Sequence, residues 1–499
     1  MELEKQLQRY WKASCRRTVV QEETAETIVP DTSPDVDRIV SVSGVPILRG
    51  KECRQGSVTV SGGVKAAVLY VPEGENLPRT LELYLPFVTK LEDPAVDMDD
   101  QVIYEGALRS LDARLINSRK LLVRANLAVC ISTWARTEEE VCVNAGGLNG
   151  LQIKTAVWPM TLPAAAAEKS FTLTDSTQLP VGTPEAASIN DWTASVEVTE
   201  SRVVGERGVF KGNVNVQALY RTQGDELENW SFSVPFSQFA ELEGAQEGDE
   251  LQVTAVLTGA DLDFEQGNRW LYSFSLAAQC LALTRREVTL IEDLYSVSCP
   301  LTLQRQSLQM ENRLDQQLQY QSVRQTIPSD ASEVLGTQVY LELPDQQREG
   351  DELTVSTSAL VNLLYRDTTG ALQGVSGRVQ VQTRLPLAQG CTCQAVARLV
   401  RDIYASPAAD GMEVRFSVVF DLCCYAAQPL EGVCGAEADE NAPEEGEQPS
   451  VIVRAVEEEQ SLWDIAKACR TTVDAICQAN GLQTPEVPAG RLLLIPRAG

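Results

Sequence analysis

"GNVNVQALY", residues 212–220, alternates: Val214, Val216, Ala218 and Tyr220 are apolar, and Asn213, Asn215 and Gln217 between them are polar. A period of two sends successive side chains to opposite faces, which marks a strand with one buried face. The pattern returns at Leu121, Val123, Ala125, Leu127, Val129 and Ile131, at Trp270, Tyr272, Phe274, Leu276 and Ala278, and at Val414, Phe416, Val418, Phe420 and Leu422. The chain is therefore read as mainly β.

The strands recur in a fixed order. "TIVPDTSPDV", "TQLPVGTPEA" and "QTIPSDASEV" place Pro30, Pro180 and Pro328 five residues before Asp35, Glu185 and Glu333, and Tyr70, Tyr220 and Tyr365 follow the prolines by 40, 40 and 37 residues. Repetition on this scale means three homologous domains, because solenoid units run to about 20 to 50 residues. Each domain buries one face of its strands, in a β-sandwich or a partly closed barrel; the pattern admits both. Pro86-Phe87 and Pro235-Phe236 follow the first two tyrosines and mark edge strands or bulges there. Leu3, Leu7, Tyr10 and Trp11 fall on one helical face, which predicts an N-terminal helix over residues 1–20. The expected domains are then residues 21–150, 165–290 and 300–430.

The 499 residues exceed one hydrophobic core, and 43% hydrophobic with 22% charged residues is a globular composition. Seventy acidic against 42 basic residues give a net charge of −28. Such a balance repels phosphate backbones and anionic lipid, which argues against nucleic acid as partner. "MELEKQLQRYW" lacks the basic start and apolar run of a secretory signal, and no stretch reaches membrane-spanning length, so the expected location is cytoplasmic. The 13 cysteines then read as reduced thiols rather than a disulfide framework.

"GAEADENAPEEGEQPS" carries six carboxylates, two prolines and no basic residue, which predicts an acidic linker over 431–449 and a tethered tail domain over 450–499. That tail reads strand, helix, helix, strand. Ser461 caps a first helix with Asp464 three residues on, Thr472 caps a second, and Asn480-Gly481 supplies the left-handed residue that stops it. The fold class expected is mainly β: three tandem β-sandwich-like domains followed by a small βααβ domain.

Ser461, Leu462, Trp463, Ile465, Ala466, Val473, Ile476, Asn480, Gly481, Leu482, Gly490 and the terminal Leu-Leu-Ile-Pro resemble a LysM domain, the βααβ unit that binds N-acetylglucosamine polymers. Three β-rich repeats followed by such a tail resemble the SipL family of spore-coat morphogenetic proteins, whose repeated unit is the SPOCS domain. The resemblance implies a non-enzymatic scaffold in the mother-cell cytosol at the forespore surface. Its LysM domain would engage a protein partner, the morphogenetic ATPase stage IV sporulation protein A, through a groove between the first loop and the loop after the second helix. The residues carried over to that groove are Glu459, Gln460, Ser461, Leu462, Trp463, Asn480, Gly481 and Leu482. Glu459 and Gln460 stand where the family usually has Gly-Asp, a departure that weighs against a sugar ligand. Binding of peptidoglycan or another N-acetylglucosamine polymer is the alternative.

Other chemistry finds little footing. The chain has no histidine, which removes Ser-His-Asp and Cys-His arrangements, and it has no phosphate-cradling GxxxxGK motif. Asp112, Asp261 and Asp402 recur at similar distances after the three tyrosines and are read as a feature of the shared fold rather than as catalytic carboxylates. Cys391, Cys393, Cys423 and Cys424 would make four thiolates if strands joined them, but the spacing is not that of a zinc ribbon. No metal or cofactor is expected.

Overall fold

The computed structural model describes residues 1–265, 268–439, 450–458 and 460–496. The alternating stretches of the first unit form β1 (Glu2–Ile28), β2 (Val36–Arg54), β3 (Ser57–Pro72), β4 (Arg79–Glu92), β5 (Gln101–Asn117) and β6 (Lys120–Gly146). They pair antiparallel into two three-stranded sheets, β1-β6-β5 and β2-β3-β4. Val60, Val64, Val68 and Tyr70 of β3 meet Leu121, Val123, Leu127 and Ile131 of β6 in one core. Two sheets packed face to face make each unit a sandwich, not a barrel.

The second unit repeats this with β7 (Leu151–Gln178), β8 (Ala186–Val204), β9 (Arg207–Thr222), β10 (Leu227–Glu241), β11 (Glu250–Glu265) and β12 (Arg269–Ser296), in sheets β7-β12-β11 and β8-β9-β10. The third has β13 (Leu301–Ile327), β14 (Ala331–Leu341), β15 (Asp345–Glu349), β16 (Glu352–Asp367), β17 (Leu372–Pro386), β18 (Cys391–Ala408) and β19 (Gly411–Ala438). Here β14 and β15 share the partner β16, because Pro344 interrupts what is one strand in the other units and cannot donate to the ladder. The tail forms β20 (Val451–Ala455), α1 (Leu462–Ala468), α2 (Val473–Asn480) and β21 (Leu492–Pro496). The architecture is mainly β, three sandwich-like units and a small βααβ head. No helix among the described residues is long and apolar enough to cross a membrane.

The repeat markers lie where packing uses them. Tyr70, Tyr220 and Tyr365 are all buried. Pro86 and Pro235 sit on the edge strands β4 and β10, where a missing N–H costs no ladder bond. Phe87 lies opposite Gly62, and Phe236 opposite Gly212. A Cβ on Gly62 would come within 2.7 Å of the Phe87 ring, so the glycine makes the ring's seat. The third unit has Thr357 opposite Val381 at that place and needs no such pair.

The N-terminal helix is not formed: residues 2–28 are a single strand. Four apolar residues over nine positions are too short a helical signal to outweigh pairing with β6, where Arg9 bridges Glu138 (3.0 Å), Lys5 bridges Glu140 (2.9 Å) and Tyr10 is buried. The units accordingly span 2–146, 151–296 and 301–438, against the expected 21–150, 165–290 and 300–430. Residues 431–438, expected in the acidic linker, belong to β19, and the rest of that linker, 440–449, lies outside the described residues.

The six strands that open and close the units are 27 or 28 residues long, against 16 for β3 and β9. They pair as ribbons, β1 with β6, β7 with β12 and β13 with β19. Each ribbon slips register twice, first at Ser14, Ala164 or Leu314 and again nearer its outer end at Val143, Glu292 or Cys434, and the first bulge bends the pair out of its sandwich. Beyond the bulges the three ribbons meet. Tyr10, Met160 and Met310, 150 residues apart in sequence, pack in one layer with Val141, Leu162, Val288, Leu290 and Leu430. Cys142, Ile291, Leu294 and Val433 form the next layer out. On the opposite side, Val40 and Leu69, Leu219 and Leu227, and Leu364 and Leu372 close a third apolar layer. Equivalent residues of the three units, Tyr10, Met160 and Met310 on one side and Leu69, Leu219 and Leu364 on the other, thus surround a common pseudo-threefold axis.

A polar junction joins all three units beside that third layer. Asp191, 8% exposed, accepts hydrogen bonds from the Ser43 hydroxyl and from Gln338 Nε2 (3.3 Å). The Tyr340 hydroxyl donates to Gln338 Oε1 (3.1 Å) and accepts from the Gly44 N–H (3.3 Å). Burial raises the Asp191 carboxyl to about 6, the Glu82 charge adds to the rise, and the bonds from Ser43, Gln338 and the Trp192 N–H oppose it. An acid raised above its unfolded value of about 4 holds more protons in the folded state, so its contribution to stability falls as pH rises through the window from about 4 to about 6. Asp191→Asn should remove this dependence. The melting temperature of the unaltered chain should decline relative to the variant between pH 5 and pH 7.5, by an amount corresponding to roughly 1 to 1.5 kcal/mol; parallel curves would contradict the assignment.

Candidate functional site

The head is held by local chemistry legible in its sequence. The Ser461 hydroxyl accepts from the Asp464 N–H (3.2 Å), and the Asp464 carboxylate accepts from the Ser461 N–H (3.0 Å), a reciprocal capping box at α1. Thr472 Oγ1 accepts from the Ala475 N–H (3.0 Å) and starts α2. Gly481, at φ 64°, ends α2 in the left-handed conformation. Val456, Leu462, Ile465, Ala466, Ile476, Leu493 and Ile495 form the head's core.

The same cluster includes Tyr295, from the end of β12 in the second unit. The head is therefore packed on the body, not merely tethered to it. Trp463 and Lys467 lie one turn apart on α1 and share a face. The Trp463 indole N–H donates to Asp293 Oδ2 (2.8 Å), and Lys467 Nζ donates to both oxygens of Asp293 (2.7 Å each). Arg305, at the start of β13, adds a third donor to Asp293 (2.8 Å). The Tyr295 ring meets Trp463 edge to face at 4.9 Å, and its hydroxyl donates to the Thr471 carbonyl (2.7 Å). Arg470, at φ 50°, turns the chain between the helices just before that carbonyl.

The electrostatics match the geometry. Burial pushes the Asp293 carboxyl up, but the hydrogen bonds from Lys467 and Trp463 and the charges of Lys467 and Arg305 outweigh it, so the group sits below the ordinary carboxylate range. Burial, with the Asp293 charge, pushes the Tyr295 hydroxyl up to about 12. Asp293 is an ion and Tyr295 a neutral donor near neutral pH.

The eight residues assigned to the groove from sequence divide. Glu459 lies outside the described residues. Ser461 and Gly481 are exposed, Gln460 and Leu482 half-buried, and these four flank the two loops of the expected groove. The Gln460 Oε1 atom is buried with no hydrogen-bond partner among the described residues. Leu462 belongs to the core. Trp463 faces the body. Asn480 does structural work: its Nδ2 donates to the Ile476 carbonyl (2.8 Å) and the Leu494 carbonyl (2.7 Å), and its Oδ1 accepts from the Leu494 N–H (2.8 Å), tying α2 to β21.

Sequence reasoning missed Asp293 and Tyr295. A signal existed in the repeat itself. Counted from the second register slip of each ribbon, at Val143, Glu292 and Cys434, Asp293 corresponds to Asn144 and Gly435, and Tyr295 to Gly146 and Glu437. Only the second unit carries a carboxylate and an aromatic ring there.

The other candidate chemistry is not assembled. Asp112 and Asp261 are exposed on strands of different units; Asp112 lies opposite Arg124, and Asp261 bridges Lys65 (3.1 Å). The Asp402 side chain lies outside the described residues. Cys391, Cys393 and Cys424 pack on the third unit's core, with Cys393 opposite Cys424. Cys423, next in sequence to Cys424, faces the other way, where Gln252 donates to its sulfur (3.9 Å). Burial pushes the Cys393 and Cys423 thiols each up to about 12, so both are protonated near neutral pH.

Asn480→Ala should destabilise the head by about 1 to 2 kcal/mol, the scale of lost side-chain hydrogen bonds. Hydrogen exchange should then quicken in residues 473–495 and stay unchanged in the β units; unchanged exchange in the head would return Asn480 to the groove.

Comparison with known proteins fits this division. A family model described as SipL, SPOCS domain, matches residues 185–265, which span β8 to β11 of the second unit. A LysM domain model matches residues 455–496, the head from the end of β20 through β21. No curated protein and no solved structure matches the chain. Both matched families are binding domains, and in this chain a segment similar to a sporulation-associated domain is joined to one similar to a glycan-recognition domain.

Proposed function

We propose that the chain is a non-enzymatic scaffold in assembly of the bacterial endospore coat, acting in the mother-cell cytosol at the forespore surface. The observation that carries this reading is the pairing of a SPOCS-type segment with a LysM-type head in one polypeptide. That the first and third units are further SPOCS-type domains is supported by the strand order they share with the second. The three-unit body supplies the docking mass. The head engages a protein partner, a spore-coat morphogenetic ATPase similar to stage IV sporulation protein A.

A polypeptide partner suits what the head already holds. Its α1 face and the turn after it bind a carboxylate through Lys467 and Trp463, an aromatic ring through Trp463 and a hydroxyl through the Thr471 carbonyl, and all three come from one protein strand. The second reading, a binder of peptidoglycan glycan, is favoured by the LysM match and by the exposure of Ser461 and Gly481 at the groove loops.

Pull-down from sporulating-cell lysate with the full chain, and with a chain ending after Asp439, separates the two. The scaffold reading expects the ATPase with the full chain and its loss on truncation, with negligible affinity of the full chain for chitin oligomers. Recruitment that survives truncation would overturn it. Chitin or peptidoglycan binding without the ATPase would replace it with the glycan reading.

A further inference from the structure

We propose that the contact between α1 and the end of β12 is a reversible latch, in which Asp293 and Tyr295 occupy the head's recognition face as an internal ligand. The partner that opens it presents the same chemistry: an extended segment with a carboxylate and a tyrosine two residues apart. The proposal deepens the reading of the head as a polypeptide-binding unit and rests on it.

The geometry of the bound strand sets the partner's chemistry. Residues two apart on a strand point the same way, which lets Asp293 and Tyr295 reach one helical face together. On the head side, Lys467 and Trp463 take the carboxylate, while the Trp463 ring edge and the Thr471 carbonyl take the tyrosine. A lone carboxylate would leave the Thr471 carbonyl unused, and a lone aromatic ring would leave the Lys467 ammonium unpaired.

Two features make the contact a switch rather than a fixed interface. Its polar part is concentrated on a few groups, and Asp293 keeps Arg305 as a partner when the head leaves, so opening strands no uncompensated buried carboxylate on the body. The head is also joined to β19 through the short segment 440–449, so the internal ligand competes at the high local concentration that such a connection imposes. An external segment therefore binds only weakly until the internal one is weakened or outcompeted.

The test uses the full chain and a synthetic octapeptide with the sequence of residues 291–298, IEDLYSVS. In Asp293→Ala/Tyr295→Ala, hydrogen exchange across residues 462–471 should quicken while that of Tyr70, Tyr220 and Tyr365 neighbourhoods holds, and the labelled peptide should bind at least tenfold more tightly than it binds the unaltered chain. Replacing the peptide's Asp by Asn or its Tyr by Ala should abolish the gain. Lys467→Ala opens the latch from the head side, so it guards against a body that misfolds: exchange at 293–297 should quicken, with no gain in peptide binding because the cation that pairs with the carboxylate is gone and only the Trp463 N–H remains. Unchanged exchange in both variants, or an opened head that ignores the peptide, would overturn the latch. Either result is independent of whether truncation after Asp439 loses the ATPase, so the latch can fail while the scaffold reading stands.

Discussion

Each long ribbon carries an apolar face that its own sandwich cannot cover. Tyr10 with Val141, Met160 and Leu162 with Val288, and Met310 with Leu430 lie beyond the bulges, past the reach of the two sheets that bury the rest of each unit. Burying such side chains is worth about 1.5 to 3 kcal/mol each, and the ribbons can obtain it only from one another. Closure of three units around one axis follows from that constraint. It also brings the far ends of the ribbons together, and one of those ends is the head's seat.

The symmetry is broken at a few places, and these carry the individuality of the molecule. Asp191 lies opposite Leu219, where the other units have Ser41 opposite Leu69 and Gly336 opposite Leu364. One buried carboxylate can be satisfied by neighbours from the other two units; three facing one axis would repel each other at close range. At the ribbon ends, Asp293 and Tyr295 replace the smaller or differently charged residues of units one and three. A single head thus finds a single seat on a body whose backbone offers three related positions.

Much of this was legible in the sequence, and the limit has a physical cause. Period two at Val214–Tyr220 revealed the strands because burial on one face imposes it. The recurring prolines and tyrosines revealed three units because each tyrosine fills an equivalent core position. Ser461, Thr472 and Gly481 revealed the helix ends because capping is decided within a few residues. Contacts distant in sequence left no such local mark. Tyr10 and Trp11 resembled a helical face until the partner strand β6 was known, and the acidic stretch suggested a loose tail because the residues that hold the head, Asp293 and Tyr295, lie some 170 positions upstream of Trp463 and Lys467. Trp463, assigned from sequence to the groove, contacts the chain's own second unit in this structure. Cys423 and Cys424 suggested a shared site only while the opposite orientation of neighbouring strand residues was left out.

The most direct test of the closed three-unit body is small-angle X-ray scattering from the full chain in solution. Units closed around an axis with the head docked should give a single-peaked distance distribution and a radius of gyration of about 23 to 26 Å, as compact chains of this length do. A radius of gyration above about 33 Å with a multi-peaked distribution, the signature of separate domains strung along a chain, would contradict the account.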